Sequence, residues 1–272
     1  MKYLIIFIII SLINTTIKPQ NMQKKAIILG ATSGMGREVA KILNNKNYKV
    51  AAAGRRTELL ESLKKETDNK IIIKEIDVTK HEECRKKMLE LTKELGGLDL
   101  LVITIGGWTS SIKQEWKYNV NLIEVDILGF FIATDIIIEY FKNQGYGHIA
   151  GISSIDAIRG NALFPVYSGV KAFISKYLEG TRNYMIQNKI PITVTEIIPG
   201  WVDNETFQFS QMDETYWVSN TKKAAKQIVD AIEKKKKKAY ITKRWKIIAK
   251  LLEWLPDCIY NAPWWKIRSI KT

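Results

Sequence analysis

Cysteine is scarce in this chain of 272 residues: Cys84 and Cys258 stand far apart and form no CxxC pair, which excludes a disulfide framework. With only 2 histidines beside them, there is no Cys/His cluster of metal-ligand spacing, and no metal site is expected. This cysteine usage fits a reducing compartment. No proline-rich linker, internal repeat or low-complexity stretch interrupts the sequence, so nothing marks a second domain. Acidic residues are the minority, 28 against 42 Lys and Arg, giving a net charge of +14. Much of that excess lies in the run Lys234 to Lys238 and the tail beyond it, so no nucleic-acid partner is expected. The run itself reads as a solvated helix end whose cations complement the macrodipole. No apolar run is long enough to cross a bilayer comfortably: Tyr3 to Ile13 falls short of the roughly 20 residues a span needs. Residues 1–21 therefore carry three open readings, namely an uncleaved anchor, a signal-like core, or a leader upstream of a true start at Met22.

What the chain has in quantity is apolar residues, 46% of the total, enough for one large domain. From Lys25 onward, short β-branched runs alternate with longer amphipathic segments. Strands are predicted near 25–30, 48–53, 70–75, 98–104, 147–152, 191–197 and 238–242. Helices are predicted near 34–45, 56–67, 80–95, 114–143, 165–188 and 219–235. Strands this continuously apolar must be covered on both faces, which predicts an α/β, doubly wound domain with a mostly parallel seven-stranded sheet over 22–242. A basic, Trp-rich amphipathic tail follows over 243–272, with a helix in its first half.

The first strand ends in Gly30-Ala31-Thr32-Ser33-Gly34-Met35-Gly36 and a helix begins at once. Glycines there let a pyrophosphate approach the backbone, and helix N-terminal amides meet its charge, as in a Rossmann fold. The second strand closes in Gly54-Arg55-Arg56, with no Asp or Glu to hold a ribose 2′-hydroxyl. Arg55 and Arg56 instead offer guanidinium forks suited to a 2′-phosphate, so NADP(H) is the expected cofactor, with Arg55 the preferred contact. Tyr167 and Lys171 lie four apart on a predicted helix and share a face. A tyrosine with an ordinary pKa near 10 needs such a cation to do acid–base work at neutral pH.

Together with Ser153-Ser154 after the fifth strand and Pro199-Gly200 after the sixth, these motifs resemble the short-chain dehydrogenase/reductase family over roughly Lys24 to Thr242. The resemblance implies a hydride transfer between NADP(H) and a carbonyl or alcohol carbon. Tyr167 would be the acid–base, Lys171 its activator and Ser154, 13 positions before the tyrosine, the holder of the substrate oxygen, with Ser153 the lesser candidate. It further implies cofactor contacts from Asp77 and Val78 (the adenine side), Gly106, Pro199, Gly200 and Val202, and a homo-oligomer. A soluble nicotinamide cofactor points to the cytoplasm and against export.

Several positions depart from the family's pattern. Leu29 replaces a threonine, Ile103-Thr104-Ile105-Gly106 replaces Asn-Asn-Ala-Gly, and Asp126 stands where an asparagine usually connects a water to the lysine. Leu29 and Ile103 read as a matched apolar change, and Asp126 as a partner for Lys171. These departures keep open a second reading, a cofactor-binding sensor or scaffold without turnover. Between Trp201 and Val218, the aromatics Trp201, Phe207, Phe209, Tyr216 and Trp217 read either as a lid over an apolar, lipid-like substrate or as packing on their own domain. Apolar and basic residues alternate at helical spacing from Lys243 to Leu255, which fits a membrane surface, the fold itself or a second subunit.

Overall fold

The computed structural model describes residues 23–106, 116–203 and 217–262. Seven strands form one sheet: β1 (Lys25–Leu29), β2 (Lys49–Gly54), β3 (Ile72–Glu75), β4 (Leu100–Ile103), β5 (Gly147–Ile152), β6 (Ile192–Pro199) and β7 (Lys238–Ile241). Their order is β3-β2-β1-β4-β5-β6-β7, and every pairing is parallel. Alternation along each strand explains why both faces are covered. Ile27, Leu29, Ala51, Ala53, Leu101 and Ile103 point into one apolar cluster, while Ala26, Ile28, Val50, Ala52, Leu100 and Val102 point into the other.

The second of these clusters is roofed by α1 (Gly34–Asn45), α2 (Thr57–Glu66) and, further along the chain, α7 (Thr221–Glu233). Val39, Ala40 and Leu43 of α1 are fully buried there. The first is roofed by α3 (His81–Leu95), by a long helical stretch after β4, and by α6 (Pro165–Gln187). The predicted strands and the remaining helices agree with these to within a residue or two at their ends.

The stretch expected as one helix over 114–143 is interrupted. It runs as α4 (Trp116–Ile123), a π-helical turn (Glu124–Gly129) and α5 (Phe130–Gln144), ended by Gly145 in the left-handed region at φ 84°. Gly129 explains part of this, because a Cβ there would collide with Val78, so the helix crosses the strand ends at close approach. A π turn inserts one extra residue into the helical hydrogen-bond ladder at this point.

After β7 the tail folds back as α8 (Trp245–Trp254) and α9 (Asp257–Tyr260). Trp245 is buried between Trp201 and Trp217, at ring-centroid distances of 5.7 and 5.5 Å, and covers Gly200, where a Cβ would strike its indole. Those two lid aromatics therefore pack on their own domain, whereas Phe207, Phe209 and Tyr216 lie outside the described residues. Lys234 to Lys238 are exposed beyond the end of α7, in keeping with a solvated helix end. Among the described residues no helix is long and apolar enough to cross a membrane, and residues 1–21 lie outside them.

Candidate active site

Strand order reverses on either side of β1, since β2 continues one way and β4 the other, and a crevice opens beyond the strand ends at that switch point. The chain leaves β1 through Gly30, at φ +98°, with the amides of Gly30 and Ala31 both donating to the Ala53 carbonyl at 2.8 and 3.0 Å. Thr104 ties this turn from the other side. Its backbone N–H donates to the Leu29 carbonyl at 2.8 Å, and its hydroxyl lies 3.1 and 3.0 Å from the Leu29 and Gly30 carbonyls. A Cβ on Gly36 would collide with that hydroxyl and with the Gly30 carbonyl, so the start of α1 can press against the turn only as glycine. Ser33 begins α1 without capping it through its side chain, which leaves helix N-terminal amides and their partial positive charge at the cleft.

Gly30, Thr32, Ser33, Gly34, Met35, Gly36, Arg55, Arg56, Val78, Gly106 and Asp126 all line this one cleft. Of the two arginines, Arg56 is the one joined to the glycine turn, through the hydroxyls of Thr32 (2.7 Å) and Ser33 (2.6 Å). Asp77 stands beside the cleft, its Oδ1 accepting from the Thr79 amide at 3.0 Å and hydroxyl at 2.8 Å. Burial pushes its carboxyl up, but the Thr79 bonds and the nearby Arg55 charge outweigh this and hold it below the usual carboxylate range. Leu29 and Ile103 are register partners across β1 and β4, both fully buried in the same cluster, so the apolar pair expected from the sequence is a contact in the core.

At the far end of the cleft the π turn carries Asp126 inward. Its Oδ2 accepts from the Lys171 ammonium at 2.7 Å, with the two side chains 0% and 5% exposed. Gly106, at φ +123°, makes room for this carboxylate, since a Cβ would strike it. Lys171 stands 5.5 Å from the centroid of the Tyr167 ring. Burial pulls the lysine pKa down, but Asp126 and Tyr167 more than offset this and raise it, so the ammonium persists. For Tyr167, burial raises the phenol pKa most, Lys171 and Ser154 pull it down, and Asp156 and Asp126 push it up. The expected help from lysine is present, yet the phenol remains above its ordinary value.

The serine pair divides its work. Ser153 donates to Glu196 at 2.9 Å and is committed to the β6 side of the sheet. Ser154 opens the 3₁₀ turn Ile155–Ala157, where its hydroxyl accepts from the Asp156 amide at 3.2 Å. Pro199, Gly200 and Val202 are not among the residues lining the cleft: Gly200 lies under Trp245, and Val202 bridges Ser219.

Three neighbours of the site were not legible as such. Tyr118 lines the cleft beside Asp126; burial first, then Asp126 and Tyr167, push its phenol up to about 12. Asp156 accepts from the Asn161 amide at 3.0 Å, and burial raises its carboxyl. Its place two residues after Ser154 was the available signal. Arg37, only 8% exposed, clamps α1 to α2 through the Leu59 carbonyl, Ser62 and Glu66 behind the arginine pair.

Residues 24–216 match the model of the short chain dehydrogenase family. The chain belongs to that family. As a family member it is an oxidoreductase with a Rossmann fold and a nucleotide-binding cleft. It is 32% identical over 218 residues to an uncharacterized oxidoreductase of Staphylococcus saprophyticus, covering 76% of this chain and 88% of that one. It is also 32% identical over 187 residues to one of Myxococcus xanthus, covering 67% and 73%. Among solved structures, ElxO with NADP bound superposes with a TM-score of 0.72 at 21% identity, covering 81% of this chain and 97% of that one. A short-chain dehydrogenase from Streptomyces avermitilis gives 0.70 at 22%, covering 86% and 97%.

Proposed function

We propose that this short-chain dehydrogenase transfers a hydride between NADP(H) and a carbonyl or alcohol carbon, working as a carbonyl reductase. The observation that carries the reading is one cleft that runs from the glycine turn and Arg56 to Asp126, whose carboxylate pairs with the buried Lys171 beside Tyr167; Tyr167, Lys171 and Ser154 themselves are not among the residues lining the cleft. The donor set fits a phosphorylated dinucleotide: uncapped amides of α1 for the pyrophosphate, and Arg55 with Arg56 for a 2′-phosphate. That ElxO was solved with NADP bound supports the same choice.

When bound, the nicotinamide group supplies or takes up the hydride. This chain's own residues do the rest. In reduction, the Tyr167 hydroxyl gives its proton to the substrate oxygen, while Ser154 donates a hydrogen bond to that oxygen as negative charge develops. The Lys171 cation stabilises the phenolate left behind, and Asp126 keeps the lysine charged and in place. In oxidation the proton moves the other way.

The experiment is NADPH oxidation by the full chain against ketones and aldehydes of graded chain length, with Tyr167→Phe as control. Loss of roughly 10²-fold or more in turnover, with NADPH still bound, is the expected result. The chain-length trend decides whether the substrate is lipid-like, an expectation that now rests on Phe207, Phe209 and Tyr216. A second reading, NADP(H) binding without turnover, is favoured by one observation, the raised phenol of Tyr167 beside a lysine already paired with Asp126. Tight NADPH binding with no carbonyl reduced and no alcohol oxidised would put that reading first.

A further inference from the structure

We propose that the outer face of α8 rests on an anionic lipid surface. The helix is apolar on two sides. Its inner side is accounted for, with Trp245 and Ala249 buried and Ile248 and Leu252 packed beside them. Its outer side carries Ile247, Leu251 and Trp254, 67%, 58% and 84% exposed. Spacings of four and then three residues put these on one stripe. Among the described residues, no packing contact requires large apolar side chains there.

The charge around the stripe names the occupant. Lys243, Lys246 and Lys250 are exposed along one border of it, and Glu253, the acid of this helix, lies on the far side of those lysines. An apolar stripe edged by ammonium groups, with a tryptophan at its end, matches acyl chains beneath headgroup phosphates. A second copy docking antiparallel through this face would bring lysines against lysines. A folded partner needs about 20–30 residues on each side for a stable interface, and a single ten-residue helix offers far fewer. A free anion would need no apolar stripe.

Contacts from α8 and α9 also set where the surface would lie. Arg159, on the loop between Ser154 and Tyr167, donates to the Leu252 carbonyl at 3.2 Å, to the Leu255 carbonyl and to the Asp257 carboxylate. Its guanidinium lies 4.5 Å from the Tyr260 ring centroid, and the Tyr260 hydroxyl donates to the Gly160 carbonyl at 2.9 Å. On the other side, Arg244 donates to the Val218 carbonyl at 3.1 Å and the Trp245 indole to the Trp217 carbonyl at 3.2 Å. The tail thus braces the segments after Ser154 and before Ser219. If the reductase reading above holds, lipid contact would bring the substrate end of the site to the bilayer; the contact itself does not depend on that reading.

The test is co-sedimentation of the full chain with phosphatidylcholine vesicles, with and without phosphatidylglycerol. Three proteins are compared, all with the same amino terminus: the parent, Leu251→Ser with Trp254→Ser, and Lys243→Gln with Lys246→Gln and Lys250→Gln. The parent should prefer the anionic vesicles by about tenfold or more, the serine variant should bind both types more weakly, and the glutamine variant should lose the preference. Thermal melting, not turnover, reports that the variants fold, so a failed reductase assay leaves this test intact. Equal binding by all three proteins, or none by the parent, overturns the proposal. So does a dimer in solution that the serine variant dissociates, which would assign the face to a second copy.

Discussion

The Lys171 ammonium and the Asp126 carboxylate stand 2.7 Å apart with 5% and 0% of their side chains exposed, a buried ion pair beside Tyr167, the proposed acid–base. Burial first, with Asp156 and Asp126 adding to it, raises the Tyr167 phenol, while Asp126 offsets burial at Lys171 and keeps the lysine charged. Asp126→Asn removes that direct push, so with Lys171 still charged the Tyr167 phenol should ionise at lower pH, whereas loss of the lysine charge would shift it the opposite way. Carbonyl reduction, which needs the phenol, should then fall off at lower pH than in the parent. Alcohol oxidation, which needs the phenolate, should switch on at lower pH. Profiles of kcat/KM against pH in both directions check this, and unchanged profiles would remove Asp126 from the mechanism. Asp126→Ala, which strands a buried ammonium, should cost about 3–5 kcal/mol of stability.

Leu29 and Ile103 face each other across β1 and β4 in a fully apolar setting. Leu29→Thr or Ile103→Asn alone buries polar atoms there and should cost about 1–3 kcal/mol each in urea unfolding. Made together, the two polar groups can satisfy each other, so the double variant should lose less than the sum of the singles. A strictly additive loss would show that the two positions are not a matched pair.

Much of this was legible because it is periodic or local. The seven strands announce themselves by apolar runs buried on both faces, and Tyr167 and Lys171 share a face by virtue of being four apart on α6. Arg56 was visible as a phosphate candidate, but its attachment to Thr32 and Ser33 depends on where β1 and β2 end side by side. What could not be read is non-local. The π turn that carries Asp126 inward leaves the apolar spacing of the helix nearly intact, so the stretch reads as one continuous helix. Gly200, read as a cofactor contact, lies under Trp245, 45 residues later in the chain. The Arg159 clamp on the tail joins residues more than 90 positions apart, a pairing that no local pattern encodes.

Arg56 is hydrogen-bonded to the two hydroxyls of the glycine turn, which holds its guanidinium at the glycine-turn end of the cleft, where a 2′-phosphate is proposed to lie. Arg56→Ala should weaken NADPH by roughly 10- to 100-fold, the worth of a hydrogen bond to a charged group, while leaving NADH little changed. Arg55→Ala should do less. Fluorescence titration with both nucleotides separates the cases, and an equal loss for NADH and NADPH would make Arg56 a structural residue of the turn.

His148 gives the fold an acid sensitivity that has nothing to do with the active site. Its Nε2 meets the Thr195 hydroxyl at 2.8 Å inside the β5–β6 pair, and burial, reinforced by Lys235 and Lys24, lowers its pKa from 6.5 to about 4. The folded protein therefore refuses a proton that the unfolded chain accepts once the pH drops below about 6.5, so stability falls with pH down to about 4 and levels off below. At pH 5 this one group should already cost about 2 kcal/mol relative to pH 7. His148→Asn removes the titration. Its stability at pH 7 will differ from the parent's, but its loss between pH 7 and pH 5 should be smaller by that amount in urea unfolding. An identical loss in both proteins would assign the acid sensitivity to other groups.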